Sequence, residues 1–215
     1  MNNACPCSIK YYDDEKAVCP SCQYTCGSCT NSIHCATCDV SKFRTFDSLN
    51  VRCACLDKFY DDGSNELCKA CNYKCKTCSS SSACLTCDAT KFRITPASMC
   101  PCMVKYYDSG LNSETCLPCH YSCATCTNSS ECATCESTTN HRTYSPSTKK
   151  CKCMNKFYDD GSNEFCLACV YSCATCSSIS SHCLTCSDST THRTLNANTC
   201  PCQSRYYDGN LDAVC

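Results

Sequence analysis

The chain has 215 residues, 35 of them Cys, and a net charge of -1. Cysteine at nearly one residue in six exceeds the roughly 8–10% that marks a disulfide scaffold, while Leu, Ile, Val and Phe together number only 26, about 12% of the chain, where a globular core uses more than roughly 20%. These figures exclude a large aliphatic core, a basic nucleic-acid-binding face and, with no apolar run near the roughly 18–20 residues of a bilayer crossing, a membrane span in this window.

A chain this poor in aliphatic surface offsets its conformational entropy only if it is cross-linked into small units. Such links persist in oxidising compartments, so the composition predicts an extracellular or cell-surface protein. The sequence opens Met1-Asn2-Asn3-Ala4 and reaches Cys5 without an apolar signal run. It therefore reads as a processed chain or an excerpt.

In chain order the cysteines define a tandem repeat. Cys19, Cys68, Cys116, Cys166 and Cys215 share one phase, with spacings of 49, 48, 50 and 49. Each full unit carries eight cysteines: C-x-C, about twelve residues, then C-x2-C-x3-C-x2-C-x5-C-x2-C, with x6 for x5 in the fourth unit. The predicted modules are residues 1–52, 53–99, 100–150 and 151–199, followed by a partial fifth module, 200–215. A second signal keeps the same phase: Lys10-Tyr-Tyr-Asp13, Lys58-Phe-Tyr-Asp61, Lys105-Tyr-Tyr-Asp108, Lys156-Phe-Tyr-Asp159 and Arg205-Tyr-Tyr-Asp208. A longer period of two modules overlies the first. Cys-Pro-Cys opens modules 1, 3 and 5, whereas Asp-Asp-Gly-Ser-Asn-Glu occurs at Asp61 to Glu66 and Asp159 to Glu164 only. No stretch sustains a helical period, and Asp/Gly/Ser/Asn clusters separate short Tyr, Phe and Arg-Thr segments. The expected fold class is small and disulfide-rich, with tandem modules of short β-hairpins and loops stacked into an extended rod and almost no helix.

At Cys116-Leu-Pro-Cys119-His120-Tyr-Ser-Cys123-Ala-Thr-Cys126, followed by Cys132-Ala-Thr-Cys135, the chain resembles a furin-like repeat of the growth-factor-receptor cysteine-rich family. Long arrays of this style also resemble cysteine-rich surface proteins of ciliated protists. Spacing alone leaves connectivity open. The resemblance implies that the second cysteine of a module joins the third, the fourth the sixth, the fifth the seventh, and the eighth the first of the next module. In this sequence that gives Cys7 with Cys19, Cys22 with Cys29, Cys26 with Cys35 and Cys38 with Cys53. It continues with Cys55 and Cys68, Cys71 and Cys78, Cys75 and Cys84, Cys87 and Cys100. In the third module it gives Cys102 with Cys116, Cys119 with Cys126, Cys123 with Cys132 and Cys135 with Cys151. The remainder are Cys153 with Cys166, Cys169 with Cys176, Cys173 with Cys183, Cys186 with Cys200 and Cys202 with Cys215. Cys5 alone is left over, which reads as a link to a preceding module; the alternative is a free thiol or an intermolecular bridge.

Sharper chemistry is weaker in this sequence. Twelve C-x2-C pairs have zinc-ligand spacing, but the C-x-C pairs and Tyr blocks fit bridges better, so no metal or other cofactor is expected. A redox role needs one low-pKa C-x2-C on a strand-to-helix unit, not twelve copies without one. His34, His120, His141, His182 and His192 form no evident ligand set and are expected at surface or hairpin positions. The Asp61-Asp62-Gly63 and Asp159-Asp160-Gly161 segments carry the residue types of a calcium loop without its spacing, and a plain Asx turn accounts for them. In the Tyr blocks, either one ring packs on a disulfide while its neighbour faces out, or both rings replace the missing aliphatic core. Asn128-Ser-Ser is an N-glycosylation sequon in the x5 loop.

With no unique catalytic constellation, the chain is expected to be non-enzymatic: a structural repeat forming a filament or surface coat by self-association with further copies or modules, and carrying glycans at Asn128. The alternative is a receptor or adhesin ectodomain, in which some modules should diverge at exposed positions.

Overall fold

A computed structural model describes residues 6–95, 98–187, 189–209 and 213–215 of the chain. Cys5 lies outside them. Every strand pair among the described residues is a two-stranded antiparallel sheet, and the only helices are one-turn 3-10 segments at Val40–Lys42, Ala89–Lys91 and Ser189–Thr191. The chain is thus a small disulfide-rich fold of tandem hairpins. Its contacts group into two compact units, Met1–Cys102 with Gly110–Thr115, and Met103–Ser109 with Cys116–Cys215.

Three small hairpins recur. The first pairs the ring block with the residues after the third cysteine: Phe59–Tyr60 with Lys69–Ala70, Tyr106–Tyr107 with Leu117–Pro118, and Phe157–Tyr158 with Leu167–Ala168. In module 1 it shrinks to the bridge Tyr11 with Ser21. The residue before each block sits in the left-handed region, with Lys58, Lys105 and Lys156 at φ of 75°, 71° and 73°. Its carbonyl accepts the backbone N–H of the fourth cysteine, as in Cys71 to Lys58 and Cys169 to Lys156, both 2.8 Å.

The second hairpin carries the C-x2-C pairs. Ser28–Cys29 pairs with Cys35–Thr37, Cys75–Cys78 with Cys84–Cys87, Thr125–Cys126 with Cys132–Thr134 and Cys173–Cys176 with Cys183–Cys186. Because these strands are so short, a cross-strand hydroxyl pair adds to the ladder. Ser28 meets Thr37 at 2.6 Å, Thr77 meets Thr86 at 2.7 Å, and Thr125 with Thr134 and Thr175 with Thr185 both meet at 2.6 Å.

The third hairpin follows the eighth cysteine. Arg44–Asp47 pairs with Arg52–Cys55, and Arg142–Ser145 with Lys150–Cys153. In module 2 the described residues give the bridge Arg93 with Cys102, and in module 4 the ladder is interrupted, with bridges at Arg193 with Cys202 and at Asn196 with Thr199. Proline explains the break. Pro101 and Pro201 take the places of Ala54 and Lys152; their carbonyls still accept from Ile94 and Thr194, but they have no N–H to return. The two-module period of Cys-Pro-Cys is therefore an alternation between a continuous ladder and one broken at the proline.

The core is sulfur. Cys26, Cys35 and Cys53 form one buried cluster, Cys75, Cys78, Cys84 and Cys100 the next, then Cys123, Cys132 and Cys151, and lastly Cys173, Cys176, Cys183 and Cys200. Each cluster includes the first cysteine of the following module. The aliphatic residues lie outside, Leu49 being 92% exposed and Ile9 82%. Sulfur atoms joined in pairs replace the methyl groups that the composition lacks.

The bridges run from second cysteine to third (Cys7 to Cys19, Cys55 to Cys68, Cys153 to Cys166, Cys202 to Cys215). They run from fourth to sixth (Cys22 to Cys29, Cys71 to Cys78, Cys119 to Cys126, Cys169 to Cys176) and from fifth to seventh (Cys26 to Cys35, Cys75 to Cys84, Cys123 to Cys132, Cys173 to Cys183). Forward links join Cys38 to Cys53, Cys87 to Cys100, Cys135 to Cys151 and Cys186 to Cys200. Cys102 and Cys116 are disulfide-bonded as well.

Candidate functional site: the arginine clasp between modules

The largest fully buried side chains are not apolar; they are Arg44, Arg93 and Arg142, each no more than 1% exposed, with Arg193 at 4%. Each follows the eighth cysteine of its module by six or seven residues, behind Phe43, Phe92, His141 or His192. That preceding residue takes a left-handed conformation, with φ between 54° and 58°. In modules 1 and 2 a one-turn 3-10 segment leads into it, capped by Asp39 accepting from the Ser41 N–H and Asp88 accepting from the Thr90 N–H. The reversal leaves the arginine pointing inward.

A buried guanidinium needs its five N–H groups satisfied and its charge countered. Arg44 Nε donates to the Glu66 carbonyl (2.6 Å), Nη2 to the Asn65 carbonyl (3.0 Å), and Nη1 to both the Cys53 carbonyl (3.2 Å) and Asp61 Oδ2 (2.8 Å). All four acceptors belong to the next module. Arg142 repeats the set on Glu164, Asn163, Cys151 and Asp159, at 2.7, 2.9, 3.3 and 2.7 Å. Arg93 donates to the carbonyls of Glu114, Ser113 and Cys100 at 2.7, 3.0 and 3.1 Å. Arg193 grips Asp208 with both terminal nitrogens, each at 3.0 Å, and donates to the Ala213 and Cys200 carbonyls, both at 2.9 Å.

A tyrosine of the arginine's own module closes the clasp. The guanidinium carbons of Arg44, Arg93, Arg142 and Arg193 lie 5.6, 5.5, 5.5 and 5.2 Å from the ring centroids of Tyr24, Tyr73, Tyr121 and Tyr171, within cation–π range. Tyr24 donates its hydroxyl to Asp61 at 2.8 Å, Tyr121 to Asp159 at 3.0 Å and Tyr171 to Asp208 at 3.1 Å. Burial, then the hydrogen bond to the aspartate, pushes the phenols of Tyr24, Tyr121 and Tyr171 upward. For Asp61 and Asp159 burial pushes upward too, but arginine, a glycine N–H and tyrosine outweigh it, so both carboxyls sit below the usual range. No buried side-chain N or O among the described residues lacks a partner.

Two further contacts flank the clasp. Phe43 stacks on Phe59 with centroids 4.1 Å apart, His141 on Phe157 at 4.0 Å and His192 on Tyr206 at 3.8 Å. Lys10 pairs with Glu66, Lys58 with Glu114 at 3.3 Å, and Lys105 with Glu164, each glutamate belonging to the next module. Module 5 has Ala213 where those modules have glutamate, and Lys156 turns instead to the Tyr171 and Cys173 carbonyls and Ser187 Oγ.

The residues singled out from sequence take plainer places. Asp62 accepts from the Ser64 and Asn65 N–H groups and pairs with Lys69, while Asp160 accepts from the Ser162 and Asn163 N–H groups, so both Asp-Asp-Gly segments are Asx turns. Their left-handed corners are Gly63 and Gly161, at φ +81° and +84°. No group of three or more His, Cys, Asp or Glu among the described residues is arranged to hold a metal ion. Asn128 is half-buried; its Oδ1 accepts from the Ser130 and Glu131 N–H groups and its Nδ2 donates to Glu131. His34 faces Asn31, and His120 lies against Tyr121 and Ser122; His141 and His192 are the stacking residues already described. In modules 2 and 4 both rings of the Tyr block are engaged, the first in the inter-module stack and the second, Tyr60 or Tyr158, on the cysteine cluster.

Among the described residues no helix is long and apolar enough to cross a membrane. No protein-family model, curated protein or solved structure matches this chain. The repeated architecture and the clasp therefore carry the functional reading by themselves.

Proposed function

We propose that the chain is a non-enzymatic structural segment working outside the cell, where modules of one kind are joined in series to build a filament or surface coat by self-association. What carries this reading is the clasp: the buried Arg, Tyr and Asp that join module 1 to module 2 recur between modules 3 and 4 and again between modules 4 and 5. A binding ectodomain varies its modules around one or two specialised sites. Here modules 2 and 4 share Lys-Phe-Tyr-Asp-Asp-Gly-Ser-Asn-Glu whole, and the most distinctive side chains are used between modules. The density of disulfides supports an oxidising, extracellular setting. The resemblance to furin-like repeats and to ciliate surface proteins points the same way, and Asn128 is the place for a glycan if its loop opens. Electron microscopy of the native material without reductant tests the proposal. Laterally or axially ordered assemblies are expected; dispersed single particles that bind a soluble ligand would mean an ectodomain instead.

A further inference from the structure

Module 1 has an open cavity of about 620 Å³ whose walls include Tyr11, Asp13, Glu15, Lys16 and Ala17. Counted from the repeat, these are the positions that in later modules receive an arginine. Asp13 corresponds to Asp61, Asp159 and Asp208, and the carbonyls of Lys16 and Ala17 correspond to those of Asn65 and Glu66 that hold Arg44. Tyr11 corresponds to Phe59, Phe157 and Tyr206, the rings on which Phe43, His141 and His192 stack, and it is 48% exposed.

The turn keeps the shape of an occupied socket. Asp13 accepts the Glu15 N–H at 2.8 Å, as Asp61 and Asp159 accept the N–H groups of Gly63 and Gly161 at 3.0 Å. Glu15 sits at φ 65°, a left-handed conformation that modules 2, 3 and 4 give to Gly63, Gly110 and Gly161. Among the described residues no arginine reaches Asp13.

We propose that this cavity is a receptor site for an aromatic-arginine or histidine-arginine pair, presented by the third hairpin of another module of the same kind. The guanidinium would lie between Asp13 and the two carbonyls while the preceding ring stacks on Tyr11. The four such pairs in this chain, Phe43-Arg44, Phe92-Arg93, His141-Arg142 and His192-Arg193, have their arginines buried in their own junctions, so a second copy has none to offer without opening one. The occupant is therefore a module joined in series ahead of module 1. The junction between modules 4 and 5 shows the form it takes, because modules 5 and 1 share Cys-Pro-Cys, Tyr-Tyr-Asp and Ala-Val-Cys. Such a joint forms in the same way whether the array serves as a coat or as an ectodomain.

The test extends the full chain by placing a copy of residues 151–199 directly ahead of Cys5, which keeps the phase of the repeat, and follows hydrogen exchange over residues 8–19. Slowing of at least tenfold is expected, with most of it lost in Asp13→Asn or when the arginine of the added copy becomes lysine. Asp13→Asn in the unextended chain gives the baseline for weakening its own bond to the Glu15 N–H, and the slowing in each extended chain is read against the unextended chain with the same residue 13. No slowing, or equal slowing in the Asp13→Asn version, would overturn the proposal, because the added disulfide alone would then explain any protection. A dimer of the unextended chain in analytical ultracentrifugation, abolished by Asp13→Asn, would overturn the choice of occupant.

Discussion

Arg44 and Asp61 show how the junction separates two kinds of ion pair. The guanidinium is 1% exposed and Asp61 34%, whereas Lys10 and Glu66 are 35% and 45% exposed. Removing the carboxylate from a buried arginine strands a charge, so Asp61→Asn or Asp159→Asn should cost about 3 kcal/mol at its junction. Glu164→Gln, at an exposed pair screened by water and salt, should cost under about 0.5 kcal/mol. Native-state exchange of the Cys68 and Cys166 amides, which donate across the junctions to Lys42 and Asn140, measures both. The same carboxyls predict a pH dependence. Their folded pKa values lie below the unfolded value of about 3.9, so their stabilisation is complete above it and is lost as pH falls through the folded values. Exchange at these amides should therefore be flat above about pH 5 in opening free energy and rise below about pH 4, while the disulfide-closed hairpins stay protected.

At the scale of elements, the hairpins are too short to persist by their ladders alone, and turn chemistry decides them. A Cβ added at Gly161 would meet no atom within 4 Å, so Gly161→Ala brings backbone strain without a clash. It should destabilise the fourth module's turn by about 1 kcal/mol, and Glu15→Gly should stabilise the first module's turn by a similar amount. Local exchange or thermal shift of the two variants checks the opposite signs. The repeat, the hairpins and the lack of an aliphatic core are legible in the sequence, because cysteine phase and turn residues are local signals. Bridge order is not legible in the spacing, which permits many connectivities. The clasp leaves little trace there, because arginine is ordinarily an exposed residue and its acceptors are mostly backbone carbonyls some 20 residues away, which impose no side-chain pattern. One signal is present: an arginine after Phe or His at the same place in all four modules, matched to an aspartate in the next.

For the whole molecule, sulfur clusters and clasps act between neighbours, so energies should add along the chain and not concentrate in one core. A bridge closing 7 to 16 residues contributes about 2–3 kcal/mol on the loop-closure account. Full reduction removes both those constraints and the paired sulfurs that fill each core. The reduced, alkylated chain should lose its near-ultraviolet circular dichroism and become uniformly protease-sensitive at neutral pH, because 26 aliphatic and Phe residues cannot hold it. Retained structure after reduction would mean that the clasps suffice.

Four buried arginines, beside the ring stacks and forward disulfides, seal the joints between modules. This is tested most directly by nuclear magnetic resonance of the arginine Nε–H groups in the intact oxidised chain. Of its six arginines, Arg52 and Arg205 are exposed. Four slowly exchanging, well-dispersed Nε–H signals from Arg44, Arg93, Arg142 and Arg193 are predicted, beside two that exchange rapidly; six that all exchange at the rate of free arginine would contradict a sealed joint.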